Sequence, residues 1–267
     1  MAKRVEGKAA LVVGGGQTKG EMVGNGRATA LVLARHGARV LVADRRLDSA
    51  QETVDMIVAE GGQAWAFEAD ITAEEDARRL VGAALERFGR LDILHNNVGA
   101  SLALGDAPAV ELTESAFQRS FEVNLKGTWL ACKHALPTLR HCEGSIVNIA
   151  SMAARNAYPL VGYKTMKAAV VALTENLAAA NARYGVRANA ILPGLMNTPM
   201  AIEARVAQGM SREEVIASRD RRVPLRRRMG TAWDVAYAAL YLHSDEAGFV
   251  TGVALAVDGG EGVSWGS

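Results

Sequence analysis

Seven short apolar runs recur along this chain, each followed by a longer stretch of helical composition or a glycine-bearing turn. The runs cover residues 9–13, 39–43, 63–68, 91–95, 145–149, 186–192 and 253–257. A run that is apolar at consecutive positions offers nonpolar side chains to both faces of a sheet, so it belongs between two layers rather than at a surface. Strands of that kind pair in parallel and need a crossover, and the helical stretches at 27–36, 47–60, 72–88, 113–139, 163–184 and 231–243 supply it. The pattern predicts an α/β chain with a single doubly wound (Rossmann-type) parallel seven-stranded sheet flanked by helices. No linker rich in proline or serine interrupts the alternation, so residues 1–267 read as one domain.

The rhythm breaks at residues 195–230, which carry Pro199, Pro224, a short helical pattern and the run Arg226-Arg227-Arg228. An insertion after a strand's carboxyl end lies where open α/β sheets bind ligands, and a substrate lid is one reading of it. A solvated helical excursion is the other.

Composition narrows the partners. Thirty basic against twenty-nine acidic residues leave a formal charge of +1, which gives no electrostatic footprint for nucleic acid or an anionic membrane and points to a small molecule. The five histidines and the two cysteines, Cys132 and Cys142, lack metal-ligand spacing, so no metal is expected and the cysteines read as unpaired thiols. The first eight residues are polar and the apolar run after them is too short for a signal peptide or a membrane span. A cytoplasmic location is expected.

After the first strand comes Gly14-Gly-Gly-Gln-Thr-Lys-Gly-Glu-Met-Val-Gly24-Asn25-Gly26. Glycines between a strand and a helix let backbone amides approach a pyrophosphate, and the helix N-terminus adds donors and partial positive charge. Asp44 ends the second strand eighteen residues beyond Gly26. A carboxylate there accepts hydrogen bonds from the ribose hydroxyls of NAD and repels the 2′-phosphate of NADP. Arg45 and Arg46 follow it, and two unit charges about 4 Å apart near a surface interact by roughly 4 kcal/mol, enough to offset Asp44 if either arginine turns towards a phosphate. NAD is the expected cofactor and NADP the alternative.

Tyr163 and Lys167 lie four residues apart in a helical stretch and share one face. A phenol beside a fixed cation is shifted towards phenolate, which suits acid–base work. Ser151 offers a hydroxyl upstream. The same spacing also describes an aromatic packed on a core with a lysine reaching past it.

Taken in order, these motifs resemble those of the short-chain dehydrogenase/reductase family, and the likeness spans residues 5–260. It is carried by Gly14 with Gly24-Asn25-Gly26, Asp70-Ile71, Asn96-Asn97-Val98-Gly99 and Asn124 in Phe-Glu-Val-Asn-Leu-Lys-Gly. Ser151, Tyr163-x-x-x-Lys167, Pro193-Gly194 with Thr198, and Asp258-Gly259-Gly260 complete it. The resemblance implies a nicotinamide-dependent oxidoreductase that interconverts a secondary alcohol and a ketone. By that likeness Tyr163 is the general acid/base, Lys167 lowers its pKa and binds the nicotinamide ribose, Ser151 holds the substrate oxygen and Asn124 positions a relay water. Asp70 would meet the adenine, Asn97 and Gly99 would line the cofactor, and Thr198 would hold the carboxamide. Asp70 and Asn124 also suit turn or cap roles, and Asn97 a structural one. A homotetramer is expected on the same ground.

Three features depart from the family pattern. Nine residues separate Gly14 from Gly24 where three are usual; they either fold over the pyrophosphate or bulge into solvent, and Gly20 competes with Gly14 for the phosphate turn. Val13 stands where threonine is common. Ser151 and Tyr163 are twelve positions apart rather than thirteen. Residues 99–104, 152–158 and 195–200 are expected to border a pocket for a modestly polar molecule such as a cyclic alcohol, sugar or hydroxyketone.

Overall fold

The computed structural model describes residues 3–263. The strands are β1 (Ala9–Val13), β2 (Arg39–Asp44), β3 (Gln63–Glu68), β4 (Ile93–Asn96), β5 (Ser145–Ile149), β6 (Arg187–Pro193) and β7 (Ala254–Val257). Between them run α1 (Asn25–Arg35), α2 (Leu47–Ala59), α3 (Glu74–Phe88), α4 (Glu114–Phe121), α5 (Gly127–His141), α6 (Val161–Asn181), α7 (Pro199–Val206), α8 (Arg212–Asp220) and α9 (Ala232–His243). All seven strands pair in parallel in the order β3-β2-β1-β4-β5-β6-β7, as the sequence predicts. No helix among the described residues is long and apolar enough to cross a membrane.

The reason for the unbroken apolar runs is visible in β1. Ala9, Leu11 and Val13 point into a core layer with Leu80 and Val81 of α3 and Leu130 and Leu139 of α5. Ala10 and Val12 point the opposite way, against Leu31 and Leu33 of α1 and Ala236 and Leu240 of α9. Both faces are dry, so neither parity of the strand carries a polar side chain.

Register brings the functional loops to one edge. Val13 pairs with Ala43 and with Asn96, Asn96 with Asn148, Ile149 with Ile191, and Pro193 with Val257. The loops after β1, β2, β4, β5 and β6 therefore leave the sheet side by side, and strand order reverses between β1 and β4. That crevice is where open parallel sheets take ligands.

Two elements differ from expectation. The stretch 113–139 is not one α-helix: a π-turn at Glu122–Lys126 joins α4 to α5. The widened turn inserts extra arc, so Asn124 faces inward while Leu130, Ala131 and Ala135 keep facing the core. The stretch read as helical from residue 72 starts at Glu74, with Ala73 as its N-cap and no side-chain bond there; the Thr72 amide and hydroxyl both donate to the Asp70 carboxylate instead, at 2.9 and 2.7 Å.

Candidate active site

Gly14 leaves β1 with φ 76°, a left-handed conformation that favours glycine. A Cβ on Gly26 would lie 2.0 Å from the Gly14 carbonyl oxygen and 2.6 Å from Asn97 Nδ2. Only glycine lets α1 seat this closely on the turn. No side chain caps α1, its first turn holds no acidic residue, and Asn25 Oδ1 is buried with no partner. A helix N-terminus with free donors and positive dipole, set against a bare glycine turn, fits a dinucleotide pyrophosphate. Gly14 is thus the glycine of the turn, and Gly20 lies in an exposed excursion.

The excursion is closed by Gln17, whose Oε1 accepts from the Gly24 amide at 2.9 Å and whose Nε2 donates to the Met22 carbonyl at 3.3 Å. It does not simply bulge into solvent: a Cβ on Gly20 would sit 2.8 Å from Glu203 Oε1 and 3.0 Å from Pro199 Cβ, so the loop touches α7. The anchoring that Val13 cannot supply comes from α2. Thr53 Oγ1 donates to the Gly15 carbonyl at 2.9 Å, and Ser49 Oγ accepts from the Gln17 amide at 2.8 Å. Asp44 accepts from the Gly16 amide (3.2 Å) and the Arg46 amide (3.1 Å), while the Arg46 guanidinium donates to the Gln17 carbonyl at 2.6 Å.

Across the crevice, Asn97 Nδ2 donates to the Gly14 carbonyl at 3.0 Å. Asn124 is fully buried; its Nδ2 donates to the Ala100 carbonyl at 2.9 Å and its Oδ1 accepts from the Ala100 amide at 3.0 Å. Lys167 Nζ donates to the carbonyls of Ile149 (2.8 Å) and Val98 (3.3 Å) and lies 5.7 Å from the Tyr163 ring centre. Gly99 sits between them, since a Cβ there would come 2.8 Å from Lys167 Nζ and 3.1 Å from Asn124 Oδ1. Ser151 lies near enough to the Tyr163 phenol to lower its pKa, so the shortened spacing between these residues is absorbed in the 152–160 loop. Tyr158 leans towards Tyr163, with ring centres 6.0 Å apart.

The electrostatics differ from the expectation for the pair. Burial pushes Tyr163 up to about 12, against a smaller lowering by the Ser151 hydrogen bond. Burial also pulls Lys167 down to about 8. Desolvation disfavours both charged forms and outweighs an ammonium whose own bonds go to carbonyls.

The remaining expected residues take clear places. Pro193 ends β6, and the Gly194 amide donates to the Val257 carbonyl at 3.0 Å. Thr198 is buried immediately before α7, which Pro199 opens at a position where a missing N–H costs nothing. Ile71 is buried, and a Cβ on Gly127 would lie 2.7 Å from its Cγ2. Asp70 is exposed with its carboxylate engaged by Thr72, the arrangement of a turn residue. Arg226, Arg227 and Arg228 are exposed, and His95 is a buried histidine pulled down to about 3 by desolvation.

Sequence reasoning missed Asp106. Its buried carboxylate accepts from the amides of Gly162 (2.8 Å) and Tyr163 (2.9 Å) and from Ser101 Oγ (3.0 Å). It caps α6 from fifty-six residues upstream. In Gly-Asp-Ala-Pro an aspartate reads as a turn residue, and no local signal ties it to a distant helix. Lys164 was missed as well; its Nζ donates to the carbonyls of Ala153 (3.0 Å) and Asn156 (2.6 Å), pinning the loop beside Ser151.

Comparison with known proteins agrees with this arrangement. A family model described as enoyl-(acyl carrier protein) reductase matches residues 21–261, beginning after β1 and the first glycines. A 2,5-dichloro-2,5-cyclohexadiene-1,4-diol dehydrogenase of Sphingobium indicum is 38% identical over 259 residues, covering 96% of this chain and 97% of the relative. A solved structure from Burkholderia xenovorans described as a short-chain dehydrogenase/reductase superposes with a TM-score of 0.93 at 38% identity, covering 98% of this chain and 99% of that one. A 7α-hydroxysteroid dehydrogenase complexed with NADH and 7-oxo glycochenodeoxycholic acid superposes at 0.85 with 33% identity, covering 97% and 95%. The chain belongs to the short-chain dehydrogenase/reductase family. It is an oxidoreductase with a nicotinamide dinucleotide as cofactor.

Proposed function

We propose that this enzyme interconverts a secondary alcohol and a ketone with NAD, Tyr163 acting as general acid/base. The observation that carries this reading is the cluster of Lys167 5.7 Å from the Tyr163 ring centre with Asn124 and Gly99 against it, Ser151 beside the phenol, on the sheet edge that also bears the glycine turn. The bound dinucleotide supplies hydride chemistry, and the protein has one carbon to place and one proton to move. Ser151 holds the substrate oxygen. Tyr163, protonated at neutral pH, donates to that oxygen as a ketone is reduced and takes the proton back as an alcohol is oxidised. Lys167 and Asn124 serve the ribose and the proton route behind it. Gly14, Gly24, Asn25 and Gly26 hold the pyrophosphate, Asn97, Gly99, Pro193, Gly194 and Thr198 line the nicotinamide half, and Asp70 with Ile71 borders the adenine.

Asp44 supports NAD over NADP. It stands at the end of β2 with Gly16 packed against it, and the nearby Arg46 guanidinium is already engaged by the Gln17 carbonyl. Helices α7 and α8, which lie in the 195–230 insertion after β6, act as the substrate lid in this reading. The cyclic diol and steroid named for the two relatives support a cyclic or modestly polar alcohol as substrate.

The test pairs one variant with one titration. Tyr163→Phe abolishes turnover while NADH affinity stays within about twofold, and in wild type NADH binds at least tenfold tighter than NADPH. Normal turnover by Tyr163→Phe sinks the catalytic assignment, and tighter NADPH sinks the NAD assignment.

A further inference from the structure

Helix α8 buries a guanidinium that the protein leaves without a carboxylate. Arg219 is 8% exposed. Its hydrogen bonds run from Nε to the Met229 sulfur at 3.3 Å and from Nη2 to the Met196 carbonyl at 3.5 Å. A thioether is a weak acceptor and 3.5 Å is the outer limit of a hydrogen bond, so five N–H donors hold two poor contacts. None of the ion pairs among the described residues includes it. The acids of this region serve other groups: Glu203 takes both arms of Arg212 at 2.9 Å, Asp220 accepts from the Met229 amide at 2.8 Å, and Glu261 pairs with Arg222 at 3.2 Å. Arg205 and Arg222 repel the Arg219 charge, while Glu261 and the Tyr158 hydroxyl favour it. Desolvation brings Arg219 down to about 10, so it keeps its charge at neutral pH.

Its place in the fold is the substrate side. Met196, which accepts from it, lies two residues before Thr198 in the loop after β6. Tyr158, which it feels, leans on Tyr163. The Glu261 segment closes over the same region, since a Cβ on Gly262 would lie 2.4 Å from Met152 Cε, next to Ser151. The glycine turn and Asp44 belong to the loops after β1 and β2 and are not among its contacts.

Arg219 Nη1 makes no hydrogen bond among the described residues and is not sealed off from solvent, so it is open to a partner that would offset the cost of the mostly buried charge. We propose that Arg219 anchors a carboxylate or sulfonate on the substrate whose reacting carbon faces Tyr163; this rests on the dehydrogenase reading above and narrows it to anionic alcohols and ketones. The planar fork suits two oxygens of either group, which a lysine ammonium does not match.

The experiment uses NADH-saturated enzyme at constant ionic strength and titrates it with acetate, benzoate and benzenesulfonate against acetamide and benzamide, read by calorimetry. At least one anion binds wild type tenfold or more tightly than its neutral counterpart. Arg219→Met and Arg219→Gln erase that preference, and NADH affinity stays within twofold. The melting temperature of Arg219→Met equals or exceeds that of wild type, because an uncompensated buried charge has been removed. Should Arg219→Met not fold, Arg219→Lys keeps a cation without the fork and loses the preference tenfold. Equal binding of anions and amides by wild type overturns the proposal, as does a preference that survives in the variants. A drop in NADH affinity together with melting temperature would make Arg219 a strut or a cofactor contact, and also overturns it. Wild type that binds no NADH sinks the dehydrogenase reading itself, a result distinct from all of these.

Discussion

Lys167 is the side chain whose surroundings are most at odds with its charge. It is 2% exposed, bonds only to carbonyls, and is drawn from 10.5 to about 8 by desolvation. Below about pH 8 the folded and unfolded chains both hold the proton, and the whole cost of burying it is present. Between about 8 and 10.5 the folded lysine gives up its proton while the unfolded one keeps it, so this cost disappears as pH rises. One pKa unit is about 1.4 kcal/mol, which makes the swing about 3 kcal/mol. Lys167→Met is therefore expected to gain on wild type in denaturant midpoint near pH 7 and to lose that advantage by pH 10.5; a difference that does not change with pH contradicts it. Asp106 makes the complementary case, a charge fully used. Its carboxylate meets two amides at the head of α6, and removing it costs about 1–2 kcal/mol. Asp106→Ala should lower kcat more than it raises KM, because Tyr163 loses its backbone anchor, and Asp106→Asn should recover part of that loss.

At the level of elements, the glycine turn and α1 form one unit. A methyl on Gly26 meets backbone, the Gly14 carbonyl at 2.0 Å, which cannot swing aside as a side chain tip would. Gly26→Ala is expected to cost about 1–3 kcal/mol of stability and to weaken NADH binding at least tenfold in a fluorescence titration. Wild-type affinity in that variant would show that α1 can back away from the turn. The inserted loop is tied at both ends by Gln17 and rests against α7, so the glycine turn and the 195–230 insertion are mechanically adjacent. The π-turn at Glu122–Lys126 is a local departure of the same functional kind: it gives up regular helix geometry to bury Asn124 against Ala100.

On the scale of the whole molecule, large apolar side chains stay exposed on several elements. Among them are Phe117 of α4, Trp129 of α5, Tyr237 and Tyr241 of α9, and Phe249 and Val253 ahead of β7. Exposed aromatic side chains on α4, α5 and α9 are where the interfaces of the expected homotetramer would fall. Light scattering of the purified enzyme should give four times the chain mass, and Phe249→Asp combined with Trp129→Glu should reduce it to one. A wild-type monomer would remove the homotetramer from the reading.

Much of this was legible in residue order. Apolar runs of strand length had to lie between two layers, because both faces of each strand were nonpolar, and parallel pairing with helical crossovers followed from that. Gly14, Gly26, Asn97, Gly99, Ser151, Tyr163 and Lys167 announced themselves because each motif is short and its spacing is local. The sequence could not rank forces that depend on burial. It favoured a lowered phenol beside a lysine, whereas the packed interior raises Tyr163 and lowers Lys167, since desolvation acts on both and is set by everything around them. Nor could it join Asp106 to α6, Gly20 to Glu203, or leave Arg219 buried without an acid. Those contacts span tens of residues or depend on which neighbours an acid already serves, and only the folded arrangement of the loops at the carboxyl edge of the sheet decides them.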